Sequence, residues 1–183
     1  MDKELITTII KEDNTFNEAM FKSYVDNIFV KIYSAIMFDE LDTIKHFITE
    51  EIYQDLMKKL NELNEKNLRQ MYDELNVRFT RIVDRQVIDN KEVVTVELTS
   101  RYMDYIIDMN TGDLISGNDT YRIEKVNTLV FEKSLDAKEI DIVRMCPGCG
   151  NSMSVNTSGV CDYCGAVFNQ EDYDYVLTSI KVC

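Results

Sequence analysis

No stretch of this sequence is long and apolar enough to cross a membrane, because every apolar run falls well short of the roughly eighteen residues that a spanning helix needs. The first residues include Asp2 and Glu4, where a secretory signal would carry basic residues. We therefore expect a cytoplasmic protein with no transmembrane segment in this chain. Any association with a membrane is expected to be peripheral and to depend on a partner.

Basic residues are also scarce. The chain has 20 Lys and Arg residues against 33 Asp and Glu residues, which gives a formal net charge of −13. No Lys or Arg lies between Cys146 and Cys164, the part of the chain that most resembles a small nucleic-acid-binding module. Because nucleic-acid phosphates are bound through basic side chains, we expect no nucleic acid among the partners. A solvated, soluble surface accounts for the excess of acid.

Histidine occurs once, at His46, directly after Lys45. No Ser or Cys motif stands beside it, which favours a surface or half-buried structural histidine over a catalytic base. Asp39, Glu40 and Asp42 cluster where a helix is predicted to begin, and the helix dipole explains them without acid–base chemistry. The sequence thus offers no established catalytic constellation.

The five cysteines are distributed unevenly. Four of them form two C-x-x-C pairs, Cys146 with Cys149 and Cys161 with Cys164, and eleven residues separate the pairs. Four thiolates at this spacing, with a glycine after each pair, are typical of a structural zinc ribbon. Redox motifs of the thioredoxin type occur singly at a strand-to-helix junction, and two disulfides fit a reducing compartment poorly. Cys183 is left as a free terminal thiol, since tetrahedral zinc takes no fifth ligand.

The first third of the chain has helical periodicity. Thr15 and Glu18 form a capping-box pattern, and apolar residues then recur at helical spacing to about Met37. Asp39 is predicted to cap a short second helix, and Thr49 to open a third. The polar stretch 64–76 is predicted to end the helical part.

The period then changes to two, which predicts strands over Phe79–Ile88, around Val94–Tyr102 and over Tyr121–Phe131. Helices followed by antiparallel strands predict an α+β fold, with the N-terminal helices packed on one face of a curved sheet. Tyr173–Val182 is predicted to be extended and to pack on the ribbon or on an exposed sheet edge.

These patterns predict a division of the chain into four parts. The helical and sheet domain covers residues 1–133, a linker 134–144, the zinc ribbon 145–168, and a tail that packs back on the protein 169–183.

Several of these segments together resemble a known family. They are the helix containing Ile28 and Ala35, the helix start at Thr49, the strand 103–108, the two cysteine pairs, and the terminal segment 174–180. This pattern resembles bacterial zinc-ribbon proteins related to the matrix-side membrane anchor of the mitochondrial protein-import motor. The resemblance spans about residues 15–182, and it implies a cone-shaped fold of the nuclear-transport-factor-two-like type with a structural zinc on the four cysteines. Relatives tend to carry Trp where this chain has Ile36 and Tyr175, and many have upstream transmembrane segments.

A sheet curled around a helix leaves a concave apolar mouth. The residues predicted to line it are Tyr24, Ile28, Phe79, Val96, Leu98, Tyr102 and Phe131. Alternatively, the same residues pack together in a filled core that leaves no open pocket.

Three functions remain open from the sequence. The preferred hypothesis is a non-enzymatic, zinc-containing binding module that offers an apolar groove to a protein or lipid partner. The second is a small-molecule-binding or isomerase- or hydratase-type enzyme, with Asp104 or Asp108 as a pocket acid and Tyr102 and Tyr105 as hydrogen-bond donors. The third is a purely structural or assembly role.

Overall fold

The computed structural model describes residues 16–135, 144–145, 152–153, 163–164 and 175–182. The described elements are helix α1 (Glu18–Phe38), a 3₁₀ turn (Leu41–Ile44), helix α2 (Glu50–Asn64), and strands β1 (Leu68–Ile88), β2 (Lys91–Asp108), β3 (Leu114–Ser134), β4 (Arg144–Met145), β5 (Ser152–Met153) and β6 (Val176–Val182). The α+β class predicted from the sequence is confirmed.

The main sheet is antiparallel and has the strand order β1-β2-β3-β6. Along β2, Val94, Val96, Leu98, Ser100 and Tyr102 are buried while the alternate residues from Thr95 to Arg101 are only partly covered, as the alternation predicts. The buried side of the sheet packs on α1, whose inward stripe runs from Phe21 to Ile36. The core therefore lies between α1 and one face of the sheet.

The ends of α1 differ from the prediction. Asn17 caps its N-terminus, and the side-chain Oδ1 of Asn17 accepts a hydrogen bond from the Met20 amide at 3.0 Å. The predicted cap Thr15 lies outside the described residues. Asp39 was expected to start the next helix, but it takes a left-handed conformation with φ of 57° and ends α1 instead. A short Asp tolerates this conformation better than most residues, which makes it a stop signal here.

The first strand begins earlier than the sequence predicts. β1 begins at Leu68, inside the stretch 64–76 that was predicted to be polar and non-helical. Within this stretch Gln70 and Tyr72 are buried, while Arg69 and Glu74 are exposed. The register of β1 against β2 also shifts at three places, the first between Asp73 and Asn76. Each shift interrupts the alternation of buried and exposed residues, and many residues of β1 are polar. The sequence of β1 therefore shows no clear period of two.

The tail forms the fourth strand of the sheet. β6 pairs antiparallel with β3, from Glu132 opposite Val176 to Asn127 opposite Val182. The predicted extended conformation and docking on a sheet edge are therefore confirmed. Residues 136–174, which include both cysteine pairs, connect two neighbouring strands of one sheet. The predicted domain boundaries on either side of this insert stay predictions.

Candidate functional site

Six of the seven residues predicted to line an apolar mouth are buried in the core, namely Tyr24, Ile28, Val96, Leu98, Tyr102 and Phe131. Phe79 is not with them, since its side chain is 61% exposed. Val77 pairs with Ser100 but Phe79 pairs with Thr99, so Arg78 is an extra residue that reverses the alternation of β1. Phe79 therefore lies on the outer face of the sheet, away from α1. An open mouth lined by the other six residues stays a prediction.

Three buried tyrosines, Tyr33 on α1, Tyr72 on β1 and Tyr102 on β2, pack together where the C-terminal half of α1 meets the sheet. The ring centroid of Tyr33 lies 4.6 Å from that of Tyr72 and 5.3 Å from that of Tyr102. The hydroxyl oxygens of Tyr33 and Tyr102 are 3.4 Å apart. Burial raises the pKa of all three phenols above the ordinary value for tyrosine. All three hydroxyls are therefore protonated and able to donate hydrogen bonds at neutral pH.

The candidate pocket acid Asp104 is held by an amide. Its Oδ1 accepts a hydrogen bond from Gln70 Nε2 at 2.8 Å, and the same nitrogen donates to the carbonyl oxygen of Tyr105 at 3.0 Å. The Tyr102 hydroxyl lies beside Tyr33, as described above. Asp104 and Tyr102, two groups of the isomerase hypothesis, thus have separate hydrogen-bond partners, one an amide and the other a phenol.

The second candidate acid, Asp108, stabilises a turn. Its Oδ1 accepts hydrogen bonds from the amides of Asn110 at 2.7 Å and Thr111 at 3.1 Å. The Tyr105 hydroxyl donates to Asp73 on the neighbouring strand, and this hydrogen bond, with some burial, raises the pKa of Tyr105 to about 12. These contacts explain Asp108 and Tyr105 as structural residues.

A buried network lies at the other end of the sheet. Glu92 is almost fully buried, and its two carboxylate oxygens accept from Arg85 Nε and from the Tyr175 hydroxyl. The Tyr24 hydroxyl donates to the carbonyl oxygen of Tyr175 at 2.6 Å. The guanidinium of Arg85 also lies 4.1 Å from the ring centroid of Phe16. This network joins α1, β1, β2 and the residue that precedes β6.

An exposed apolar surface lies where β2 ends and β3 begins, over residues 102–121, which we call the distal hairpin. Four of its large apolar side chains are exposed: Met109 (39%), Leu114 (45%), Ile115 (53%) and Tyr121 (62%). Its acidic residues are Asp104, Asp108, Asp113 and Asp119, and no Lys or Arg occurs between Arg101 and Arg122. Sequence reasoning did not single out this hairpin, although the gap in basic residues was visible in the sequence.

The cysteines are only partly described. Cys164 is exposed, whereas Cys146, Cys149 and Cys161 lie outside the described residues. Within the part of the chain that the structure describes, no group of three or more His, Cys, Asp or Glu side chains is arranged to hold a metal ion. That part contains one of the four expected ligands, so zinc binding stays a prediction. His46 is exposed, in keeping with the structural role expected for it.

The described elements define an α+β domain in which a long helix packs on an antiparallel sheet. The sequence profile of the Tim44-like domain matches residues 3–141, and the chain therefore belongs to that family. The matched range covers the helices and the first three strands. It ends before the cysteine pairs and before β6, so the resemblance expected to reach residue 182 is shown for the domain alone.

Two solved structures share some similarity with the chain. One is the intermembrane space region of the chloroplast protein ARC6, with 8% identity, a TM-score of 0.47, and coverage of 91% of this chain and 96% of that one. The other is CagV, a VirB8 homologue of a T4SS from Helicobacter pylori, with 14% identity, a TM-score of 0.37, and coverage of 87% and 96%. No conclusion about this chain follows from TM-scores this low. No curated protein sequence matches it.

The length and hydrophobicity of the two helices bear on whether either could cross a membrane. Neither helix in the described part of the chain combines the length and the apolar character that crossing a membrane would require.

Proposed function

We propose that the chain is a non-enzymatic binding module that docks a protein partner and lies at a membrane through that partner. Membership of the Tim44-like domain family carries this proposal, because the resemblance implies a domain that binds membrane and partner proteins. The net charge favours attachment through a protein partner over direct attachment to lipid. A chain of formal net charge −13 is repelled by anionic lipid, so a protein contact is the more favourable first attachment.

The packing favours contact through the outer surface. The aromatic and aliphatic side chains between α1 and the sheet are almost completely covered, and they include Phe29, Leu98 and Phe131. Opening this core to admit a partner would expose apolar area, at about 25 cal/mol for each Å². The exposed side chains of the distal hairpin are available without that cost.

Sedimentation with membranes tests the proposal. The full chain is incubated with native membranes, with the same membranes after protease stripping, and with protein-free liposomes made from their lipid extract. We expect binding to untreated membranes that is lost after stripping and absent from the liposomes. Equal binding to liposomes would favour a lipid ligand, and no binding to any of the three would contradict the membrane association.

We also propose that Cys146, Cys149, Cys161 and Cys164 hold one structural zinc ion. The two short strands β4 and β5 support this, since they pair antiparallel and bracket the first cysteine pair in the sequence. Such a hairpin suits a C-x-x-C turn, in which both thiolates point at one ion. Zinc would stabilise the insert between β3 and β6 and would take no part in chemistry.

An enzyme of the isomerase or hydratase type is the second candidate. The protonated hydroxyls of Tyr33 and Tyr102 favour it, because neutral donors of this kind stabilise a developing oxyanion in a low-dielectric site. Binding of a phenolate, as an analogue of an oxyanion, to the wild type and to Tyr33→Phe decides the matter: binding that depends on the Tyr33 hydroxyl would support this candidate, and no binding removes it.

A further inference from the structure

We propose that the distal hairpin is the docking surface for a cationic amphipathic segment of a partner polypeptide. This inference rests on the proposed function, of which it names the contact surface and the chemistry of the partner. The described elements leave one apolar face of the sheet uncovered, and the charge around that face determines which kind of partner it can bind.

The apolar face spans three strands. Ile107 on β2 pairs with Leu114 on β3, and its neighbour Tyr105 pairs with Met71 on β1. Directly paired residues point to the same side of a sheet, so these four side chains share one face. Met71, Tyr105 and Ile107 are half-buried and Leu114 is exposed. The exposed side chain of Ile115 lies beside them at the register shift of β3.

The hairpin is held in one conformation before any partner arrives. The amide of Asp108 donates to the carbonyl oxygen of Asp113 at 3.0 Å, and the amide of Met109 donates to the carbonyl oxygen of Asn67 at 2.8 Å. Gly117, at φ of 86°, lets β3 come so close to β2 that a Cβ there would lie 2.2 Å from the carbonyl oxygen of Asp104. A preformed surface loses little conformational entropy when it binds.

Charge selects a cationic partner. The 20 positions from 102 to 121 hold four aspartates and no basic residue. Of the basic residues around them, Arg122 forms an ion pair with Glu74 at 3.1 Å. Arg69 is the strand partner of Ile107 and therefore lies on the same face, where its charge offsets one carboxylate. Asp104 pairs with the buried Tyr72 and so faces α1, but Asp113 and Asp119 are exposed and outnumber the single guanidinium of Arg69. This excess of negative charge beside the apolar side chains complements a segment that combines Lys or Arg with an apolar face.

The same charges disfavour the other occupants. A second copy of the hairpin would bring the exposed Asp113 and Asp119 of both copies together, and anionic lipid or nucleic acid would place phosphates against these carboxylates. A zwitterionic membrane surface is not repelled, so the experiment must distinguish it from a polypeptide.

The test is fluorescence anisotropy with a labelled amphipathic peptide of Lys and Leu and the full chain. A peptide of the same composition, scrambled so that its Leu residues share no face, controls for bulk attraction to an acidic protein. We expect the amphipathic peptide to bind more tightly than the scrambled one, and its affinity to fall as salt rises. Equal binding of the two peptides would overturn the proposal.

Variants locate the contact. Replacing both Asp113 and Asp119 by Asn should weaken binding about fivefold at low salt, as expected for two partly screened charges. Asp55→Asn with Asp84→Asn removes the same charge from α2 and β1 and should leave the affinity unchanged. An equal loss in the two double variants would show that only net charge matters and would overturn the proposal.

Two further variants, each of which replaces an exposed apolar side chain by Ser, test the apolar part of the contact. Ile115→Ser should weaken peptide binding about tenfold, whereas Val83→Ser, at a side chain of similar exposure (51% against 53%), should not. Binding to zwitterionic vesicles that is lost in Ile115→Ser would assign the hairpin to a membrane and overturn the proposal. If the wild-type chain binds untreated native membranes but not the peptide, this inference alone fails. If it binds no membrane, the proposed function fails whatever the peptide does.

Discussion

The hydroxyl of Tyr175 donates a hydrogen bond to the buried carboxylate of Glu92, and this contact joins the residue before β6 to the start of β2. The ring of Tyr175 also packs edge-on against Phe21, with centroids 4.8 Å apart. The chain returns from the cysteine insert at this position. The tail is thus tied to both the helix and the sheet before its own strand begins.

Tyr175→Phe should lower the free energy of unfolding by about 1.5–3 kcal/mol, because a buried carboxylate loses a donor while the ring contacts remain. Urea denaturation followed by circular dichroism measures the change. Tyr121→Phe is the control, since its side chain is 62% exposed, and it should have little effect. Equal stability of the two variants would show that Glu92 is satisfied by Arg85 alone.

Gly117→Ala should destabilise the distal hairpin by more than about 2 kcal/mol, through close contact with the β2 backbone added to an unfavourable backbone conformation. The new Cβ would meet the carbonyl oxygen of Asp104 at 2.2 Å and the Cα of Tyr105 at 2.6 Å. Gly112→Ala isolates the conformational part, since φ there is 77° and nothing lies within 4 Å. Thermal unfolding should rank wild type, Gly112→Ala and Gly117→Ala in that order. Equal losses in the two variants would show that strand contact contributes nothing.

Local patterns predicted most of this fold. Helical spacing identified α1 and α2, and strict alternation identified the inward face of β2, because each element buries one continuous side. The phase of β1 was not predictable in the same way, since an extra residue such as Arg78 reverses it without a sequence signal. The burial of Glu92 depends on Arg85 and Tyr175, which only the folded chain brings together.

The candidate sites also differ in whether local sequence or only the folded chain reveals them. Apolar type and spacing predicted that Leu98 and Phe131 lie inside, but not whether the space between them is open or filled, which depends on how α1 sits on the sheet. The four cysteines could be proposed as zinc ligands from the sequence alone, because ligand type and spacing are local properties, and this proposal stays a prediction. The distal hairpin emerges only when strand pairing brings Ile107 beside Leu114.

Alkaline pH should unfold the protein through its tyrosines. The pKa of Tyr105 is raised to about 12 in the folded state, by its hydrogen bond to Asp73 and then by burial, and burial raises the pKa of Tyr33, Tyr72 and Tyr102. A group whose pKa is higher in the folded state contributes stability that is complete below the unfolded value of about 10 and is lost above it. For Tyr105 the loss should extend from about pH 10 to about pH 12.

Urea midpoints measured across this pH range check the prediction, with tyrosinate absorbance recorded in the same samples. Tyr105→Phe should be less stable at neutral pH but lose less on going to high pH. A wild-type midpoint that stays constant to about pH 11 would contradict the shared rise in tyrosine pKa.

Cys161→Ser should abolish stoichiometric zinc binding and change the main sheet little. The zinc-loaded wild type should show Zn–S distances of about 2.3 Å by X-ray absorption, with no water in the coordination shell. Loss of the metal should loosen the insert 136–174 and so lengthen the flexible loop between β3 and β6. Closing a longer loop costs little, about 0.6 kcal/mol for each doubling of its length, so the main sheet should stay folded. Cys183→Ser is the control. Retention of one zinc in Cys161→Ser, or collapse of the whole sheet, would contradict this assignment.

Leu177→Ala should be the most damaging single truncation in the tail. Leu177 is fully buried, it pairs with Phe131 on β3, and it also bridges to the segment before α2. Its amide donates to the carbonyl oxygen of Phe47 at 2.8 Å, and its own carbonyl oxygen accepts from the Thr49 amide at 3.1 Å. Removing the side chain leaves a cavity between these partners, and we expect a loss of about 2–5 kcal/mol.

Val182→Ala is the matched control for Leu177→Ala, because it truncates the same strand at a side chain that is 56% exposed, and it should cost less than about 0.5 kcal/mol. Deleting residues 173–183 should have a larger effect than either variant, since it uncovers Leu129 and Phe131 and leaves β3 as an edge strand prone to self-association. Urea denaturation and analytical ultracentrifugation measure both effects. A deleted chain that unfolds at the wild-type midpoint and keeps the wild-type oligomeric state would show that β6 is dispensable, and that the matched family range 3–141 is the complete folding unit.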